Sequence, residues 1–175
     1  MNYATIKWYD IANGEGVRIS LFVSGCTHRC KNCFNQVAWD FEYGKPFDEE
    51  TQEKLLTELG SSYIAGLSLL GGEPFEPQNQ AALLPFVREV KRRYPTKTIW
   101  CYTGFVLDEA EGVLTDNRKN TSDTKELVSL LDVLVDGPYV DELHNIRLKF
   151  RGSSNQRVID VQKTLQEGKC VLYME

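Results

Sequence analysis

Hydrophobic residues fall along this chain in short dense runs, and the runs alternate between strand-like and helix-like spacing. Val17–Val23 (VRISLFV) is β-branched and apolar and predicts a strand that stops at Ser24-Gly25. Gly66–Leu70, Thr98–Tyr102 and Val133–Val135 predict three more buried strands. Helical patterns lie between them. Asp48 is placed to cap a helix over 49–59, with Glu49 and Glu50 at its positive end and Leu55, Leu56 and Leu59 on one face. Gly60-Ser61-Ser62 stops it. Ala82, Leu83, Phe86, Val87, Val90 and Tyr94 share a face of a second helix. Pro85 fits best in a first turn, which puts the start of the regular helix nearer Ala82 than Gln80, after a turn-rich stretch from Phe75 to Asn79. Asp123 and Glu126 match a capping box before Leu127, Val128, Leu130 and Leu131. Phe105–Ala110 reads as a short helix and Gly112–Thr121 as an exposed loop. Ile146–Phe150 and Arg157–Val161 read as strands, and Cys170–Tyr173 as one more.

The order strand–helix–strand–helix predicts an α/β fold, a single domain over 1–175 with a mainly parallel sheet and right-handed crossovers. About five or six strands do not complete an eight-stranded barrel, so an open, partial β/α barrel is expected.

Composition narrows the function classes. The 175 residues carry a net charge of −5, which favours neither a nucleic-acid nor a membrane-surface role. No apolar run approaches the roughly 20 residues needed to span a bilayer, and Met1–Asp10 has no apolar signal core. A cytoplasmic protein is expected, where thiols stay reduced, and five cysteines do not suit a disulfide framework.

Three of those cysteines, Cys26, Cys30 and Cys33, are spaced C-x3-C-x2-C directly after the first strand. Three soft thiolates suit an iron–sulfur cluster with one iron lacking a protein ligand. The alternative is a zinc staple completed by His28, which stands alone between two cysteines, or by a distant ligand. Cys101 and Cys170 read as small hydrophobic residues. Gly71-Gly72-Glu73-Pro74 is either a tight turn or a place where bare backbone approaches a ligand, with carbonyls to receive an ammonium group and Glu73 adding negative charge. Asn13-Gly14-Glu15-Gly16 precedes its strand and lacks a Gly-Lys-Ser/Thr, so it reads as a turn, with Arg18 solvated. Two histidines and no Ser/His/Asp pattern point away from side-chain acid–base catalysis. The cysteine loop, the GGEP turn, Thr103-Gly104 and Asp136-Gly137 each follow the C-terminal end of a predicted strand. In a parallel sheet those ends share the rim where α/β proteins place ligands.

The cysteine motif and GGEP together resemble the radical S-adenosylmethionine (SAM) superfamily. The ordered set Asn13-Gly14-x-Gly16-x-Arg18, Cys26-x-His28-x-Cys30-x-x-Cys33-x-Asn35, Trp39, Gly71–Pro74, Pro77-Gln78-Asn79, Thr103-Gly104, Val135-Asp136-Gly137 and Arg151–Gln156 is similar to the activating proteins of anaerobic ribonucleoside-triphosphate reductases, over residues 1–161. Two positions depart from related proteins: Asn32 stands where many have an aromatic residue, and Pro138 where some activases have lysine. The resemblance implies a 4Fe–4S cluster on Cys26, Cys30 and Cys33. It implies SAM or cofactor contacts from Asn35, Gly71, Gly72, Glu73, Thr103 and Asp136, and no catalytic side chain. It implies reductive cleavage of SAM, a glycyl radical made on the partner reductase, and flavodoxin or a similar electron donor. Activation of another glycyl-radical enzyme and a zinc-stapled binding module are the alternatives. Arg151–Arg157 is expected either to dock the partner, to line the SAM site or to be a hairpin turn.

Overall fold

The computed structural model describes all 175 residues. Its strands are β1 (Asn2–Asp10), β2 (Arg18–Val23), β3 (Lys45–Pro46), β4 (Gly66–Gly71), β5 (Thr98–Tyr102), β6 (Leu107–Asp108), β7 (Val113–Leu114), β8 (Val133–Asp136), β9 (Arg157–Asp160) and β10 (Leu172–Met174). Its α-helices are α1 (Glu49–Leu59), α2 (Pro77–Arg93), α3 (Thr124–Ser129) and α4 (Val161–Glu167). Eight strands make one open sheet in the order β10-β9-β8-β5-β4-β2-β1-β3, and β6 and β7 form a separate hairpin. β2, β4, β5 and β8 run parallel, while β1 on β2, β3 on β1, β9 on β8 and β10 on β9 are antiparallel. The expected sheet of five or six mainly parallel strands is thereby corrected to a mixed sheet with a parallel centre and antiparallel flanks. The link from β1 to β2 is too short for a helical crossover, which forces the antiparallel pairing.

The parallel centre follows from the hydrophobic runs. Ile19, Leu21, Val23, Leu67, Leu69, Ile99 and Leu134 point to one face and join Leu55, Leu59, Leu83, Phe86, Val87 and Leu127 of the helices in a core of 27 buried residues. Asp48 caps α1 by accepting the Thr51 N–H at 2.8 Å. α2 begins earlier than the proline position suggests. Pro77 occupies its first turn, and Pro85 sits on the exposed side of the helix interior, where water can satisfy the carbonyl that loses its partner.

Three local readings change. Phe105–Ala110 is not a helix but the first arm of the β6–β7 hairpin, with Leu107 opposite Leu114 and Asp108 Oδ1 accepting the N–H groups of Ala110 and Glu111 in the turn. Ile146–Phe150 is irregular rather than a strand, held near its base by a single bridge between His144 and Ser153. Arg18 is not solvated: it is 1% exposed on the face opposite the helices. No helix is long and apolar enough to cross a membrane.

Candidate functional site

The loops that follow β2, β4, β5 and β8 meet around a cavity of about 630 Å³. Cys26, Cys30 and Cys33 line it, together with Gly71, Gly72, Glu73, Thr103 and Gly104. Motifs far apart in sequence converge here because parallel strands leave all their C-terminal ends on one edge.

All five cysteines are free thiols. The loop carrying three of them is wound by Arg29 and Asn32, both with φ near +55–60°. The Cys33 N–H bonds to the Cys30 carbonyl at 3.2 Å, and the Asn35 N–H points at Cys33 Sγ at 3.4 Å. The Asn35 side chain does not line the cavity; its contribution there is this backbone amide. Burial pushes the Cys26 thiol up to about 12 and raises Cys30 as well, so a bound metal must displace their protons. No three His, Cys, Asp or Glu side chains come close enough to share a single ion.

Two buried carboxylates tie the cysteine loop down. Glu73 is 1% exposed. Its Oε1 accepts from His28 Nε2 at 2.7 Å and the Gly104 N–H at 2.8 Å, and its Oε2 accepts from the Phe75 N–H at 2.8 Å. The Thr103 hydroxyl lies 2.9 Å from both oxygens. Glu76 accepts from both the Thr27 N–H and the Thr27 hydroxyl and pairs with Lys119 at 2.9 Å. The loop is therefore clamped just after Cys26, at Thr27 and His28, by charge-assisted hydrogen bonds. Burial works to lower the His28 pKa, but the bond and the charge of Glu73 outweigh it and raise it. His28 also packs at a tilt against Phe105, with ring centroids 4.3 Å apart, so the histidine between the cysteines turns into the site and onto Glu73. Its position in the motif was the available signal; Glu76 and Lys119 carried none.

The two glycines of the turn are required by the protein itself. A Cβ on Gly71, at φ +109°, would meet Val23 N at 2.6 Å, and one on Gly72 would meet Gly25 O at 2.6 Å and Ala38 O at 2.8 Å. The Gly72 N–H bonds to Val23 O, and no N–H or O–H group of the chain donates to the Gly72 carbonyl. Asn79, fully buried in the first turn of α2, donates to both Ser24 O and Glu73 O and stitches the cysteine loop to the glycine turn.

Asp136 does not line the cavity. Its carboxylate is 1% exposed and is taken by Arg157, at 2.9 and 2.6 Å, and by the Leu107 N–H at 2.8 Å. The ion pair in turn raises the Arg157 pKa. Asp136 fastens β8 to β9 and to the β6–β7 hairpin, and the neighbouring Gly137 reaches the cavity in its place. The Arg151–Gln156 motif contributes part of the cavity wall. Gln156 Oε1 accepts the N–H groups of Gly152 and Ser153 while its Nε2 donates to Gly137 O. Arg151, Gly152 and Gln156 face the cavity.

A family model described as a 4Fe-4S single cluster domain matches residues 12–159. The anaerobic ribonucleoside-triphosphate reductase-activating protein of Haemophilus influenzae is 42% identical over 158 residues, which cover 89% of this chain and 96% of its own. The chain belongs to this activating-protein family. The proteins of the same name from Escherichia coli K12 and from enterobacteria phage T4 are 39% and 38% identical, each over 90% of this chain and over 97% and 93% of theirs. The matched span runs from the Asn13 turn to β9, so it takes in every loop that lines the cavity of this family member.

Proposed function

We propose that the chain is a radical SAM activating enzyme, one partial-barrel domain acting in the cytoplasm, that makes a glycyl radical on its anaerobic ribonucleoside-triphosphate reductase. Cys26, Cys30 and Cys33 would hold a 4Fe–4S cluster with one iron left open. When bound and reduced, the cluster supplies one electron to SAM, whose S–C5′ bond breaks to methionine and a 5′-deoxyadenosyl radical that takes hydrogen from a glycine Cα of the reductase. The observation that carries this reading is that three cysteines with free thiols and Gly72, whose carbonyl has no donor in the chain, line one cavity. The donor set fits: three soft thiols that line one cavity, once deprotonated, suit an iron–sulfur cluster.

The chain's own residues then bind, orient and shield. The Gly72 carbonyl accepts from the ammonium group of SAM, and the Asn35 N–H bonds to the Cys33 thiolate and tunes it. Glu73 and Thr103 act through one another: their mutual bonds hold His28, Gly104 and the cysteine loop in register rather than meeting SAM with free charge. The walls keep water from the radical. A flavodoxin-type protein supplies the electron.

The test is anaerobic: reconstituted protein with SAM, a reductant and the reductase of the same host, followed by EPR and by nucleoside analysis. A glycyl doublet on the reductase with one 5′-deoxyadenosine per radical is expected. 5′-Deoxyadenosine without that doublet would move the activity to another glycyl-radical enzyme. Zinc in place of iron, with no SAM cleavage, would end the reading.

A further inference from the structure

A second groove, of about 610 Å³, lies against the cysteine loop and shares only Cys26 and Trp39 with the cavity. Thr27, Arg29, Val37 and Phe41 are among its other walls. Cys26 thus lines both concavities, although only 7% of it is exposed. The wall of the groove is fastened directly to the cysteine backbone. The Gly25 N–H donates to Ala38 O at 2.7 Å, the Cys26 N–H to Trp39 O at 3.3 Å, and the Ser24 hydroxyl to Tyr43 O at 2.7 Å. Gly25, at φ +103°, leaves room for the Phe41 ring, which an added Cβ would meet at 2.2 Å. Two aromatic residues of the groove therefore touch the backbone at Cys26 or its neighbour.

The groove also has a charge and an apolar surface of its own. Arg29 and Lys31 are the only lysine, arginine or acidic residues from Ser24 to Trp39, a positive lip on a chain of net charge −5. The Arg29 guanidinium stands 4.8 Å over the Trp39 ring, and the residue is exposed. Lys31 reaches Glu142 only at 4.0 Å, with both side chains about three-quarters exposed, so little of its charge is spent. Asp40, the one acidic residue of the groove, turns its Oδ1 to the Glu42 N–H at 2.9 Å. Val37 and Tyr43 are 55% and 41% exposed. Electron-transfer encounters between proteins are small and transient, so a groove of this size flanked by charge is enough for one.

We propose that this groove is where the electron donor docks: an acidic one-electron carrier protein that settles on Val37 and Tyr43, is steered by Arg29 and Lys31, and passes its electron by way of Cys26. The assignment rests on the function proposed above and deepens it. In that function SAM and a glycine segment of the reductase occupy the cavity, so an electron that enters from the groove need not wait for either to leave. One electron leaves the donor, which is oxidised, and reduces the cluster; no proton or leaving group moves in that step.

The experiment compares wild type, Arg29→Glu, Val37→Glu and Phe34→Glu, each reconstituted to the same iron and sulfide content. Phe34, 88% exposed on the same loop, lines the cavity and not the groove. Equilibrium binding of oxidised flavodoxin from the same host is measured, and so is the anaerobic bleaching of the cluster by reduced flavodoxin and by dithionite. Arg29→Glu and Val37→Glu should each weaken flavodoxin binding about 10-fold and slow reduction by flavodoxin in proportion, with the gap closing as salt rises. Dithionite should reduce both variants within about twofold of wild type, and Phe34→Glu should bind flavodoxin within about twofold. Unchanged flavodoxin affinity in Arg29→Glu and Val37→Glu would overturn the assignment. A larger loss in Phe34→Glu than in Val37→Glu would overturn it in favour of docking at the cavity mouth. Equal slowing with flavodoxin and dithionite would make the residues supports of the cluster and not a docking surface. Wild type that dithionite reduces but flavodoxin neither binds nor reduces would overturn it as well. Wild type that cleaves no SAM with dithionite would instead defeat the underlying function.

Discussion

The two faces of the central sheet are buried by opposite chemistry. In β2 all six residues are buried, yet Ile19, Leu21 and Val23 meet helices while Arg18 and Ser20 meet other polar groups. On the helix face the contacts are aliphatic and non-directional. On the cavity face the polar side chains of β2 have named partners. Arg18 Nε donates to Ser68 Oγ at 2.8 Å and Nη2 to Leu67 O and Thr98 O at 2.9 and 2.8 Å. Ser68 Oγ donates to Asn13 O at 2.6 Å, and Ser20 and Asn13 both donate to Asp10. That network folds the Asn13 turn over the sheet, where Ala12 and Asn13 become the floor of the cavity. The Tyr102 hydroxyl, also on the cavity wall, is buried without a partner. One face thus supplies stability by area; the other spends buried polar groups to shape a site.

The sharpest way to break this contrast is to remove the buried cation. Arg18→Ala leaves several acceptors unsatisfied and should cost about 3–5 kcal/mol in urea unfolding of the cluster-free protein. Arg18→Met, which refills the space, should cost clearly less; equal costs would mean that volume, not the network, is what matters. Next is Leu69→Ala on the helix face, expected to cost about 3 kcal/mol while leaving SAM affinity per folded molecule unchanged. A parallel loss of affinity would show that the faces are not independent. The smallest effect concerns Asp10. Burial acts to raise its pKa, but the bonds from Ser20, Ala12 and Asn13 prevail and hold it below the ordinary carboxylate value. A depressed pKa stabilises the fold fully above the unfolded value of about 4, and that contribution is lost as pH falls through the folded one. Unfolding measured from about pH 5 to 3 should therefore steepen less with acid in Asp10→Asn than in wild type.

The pattern of apolar residues was sufficient for β2, β4, β5, β8, α1 and α2, because dense runs with clear stops have few alternatives. It was insufficient at the margins. β1 alternates exposed Thr5, Lys7 and Tyr9 with half-buried Ile6 and Trp8, too weakly to announce a strand, and the β6–β7 hairpin looks helical over so few residues. The cysteine spacing and the glycine turn pointed to segments that line the cavity, since their patterns are local. Residue order was enough to say which side chains leave water and which loops end at the cavity edge. What they meet there depends on how distant segments pack. Arg18 is paired with Thr98, 80 positions away; Asp136 is consumed by Arg157; Arg151 meets the Gln156 carbonyl and no carboxylate. A run of residues encodes burial through its own period, but the partner of a buried charge is set by strand order, which joins segments that share no local pattern.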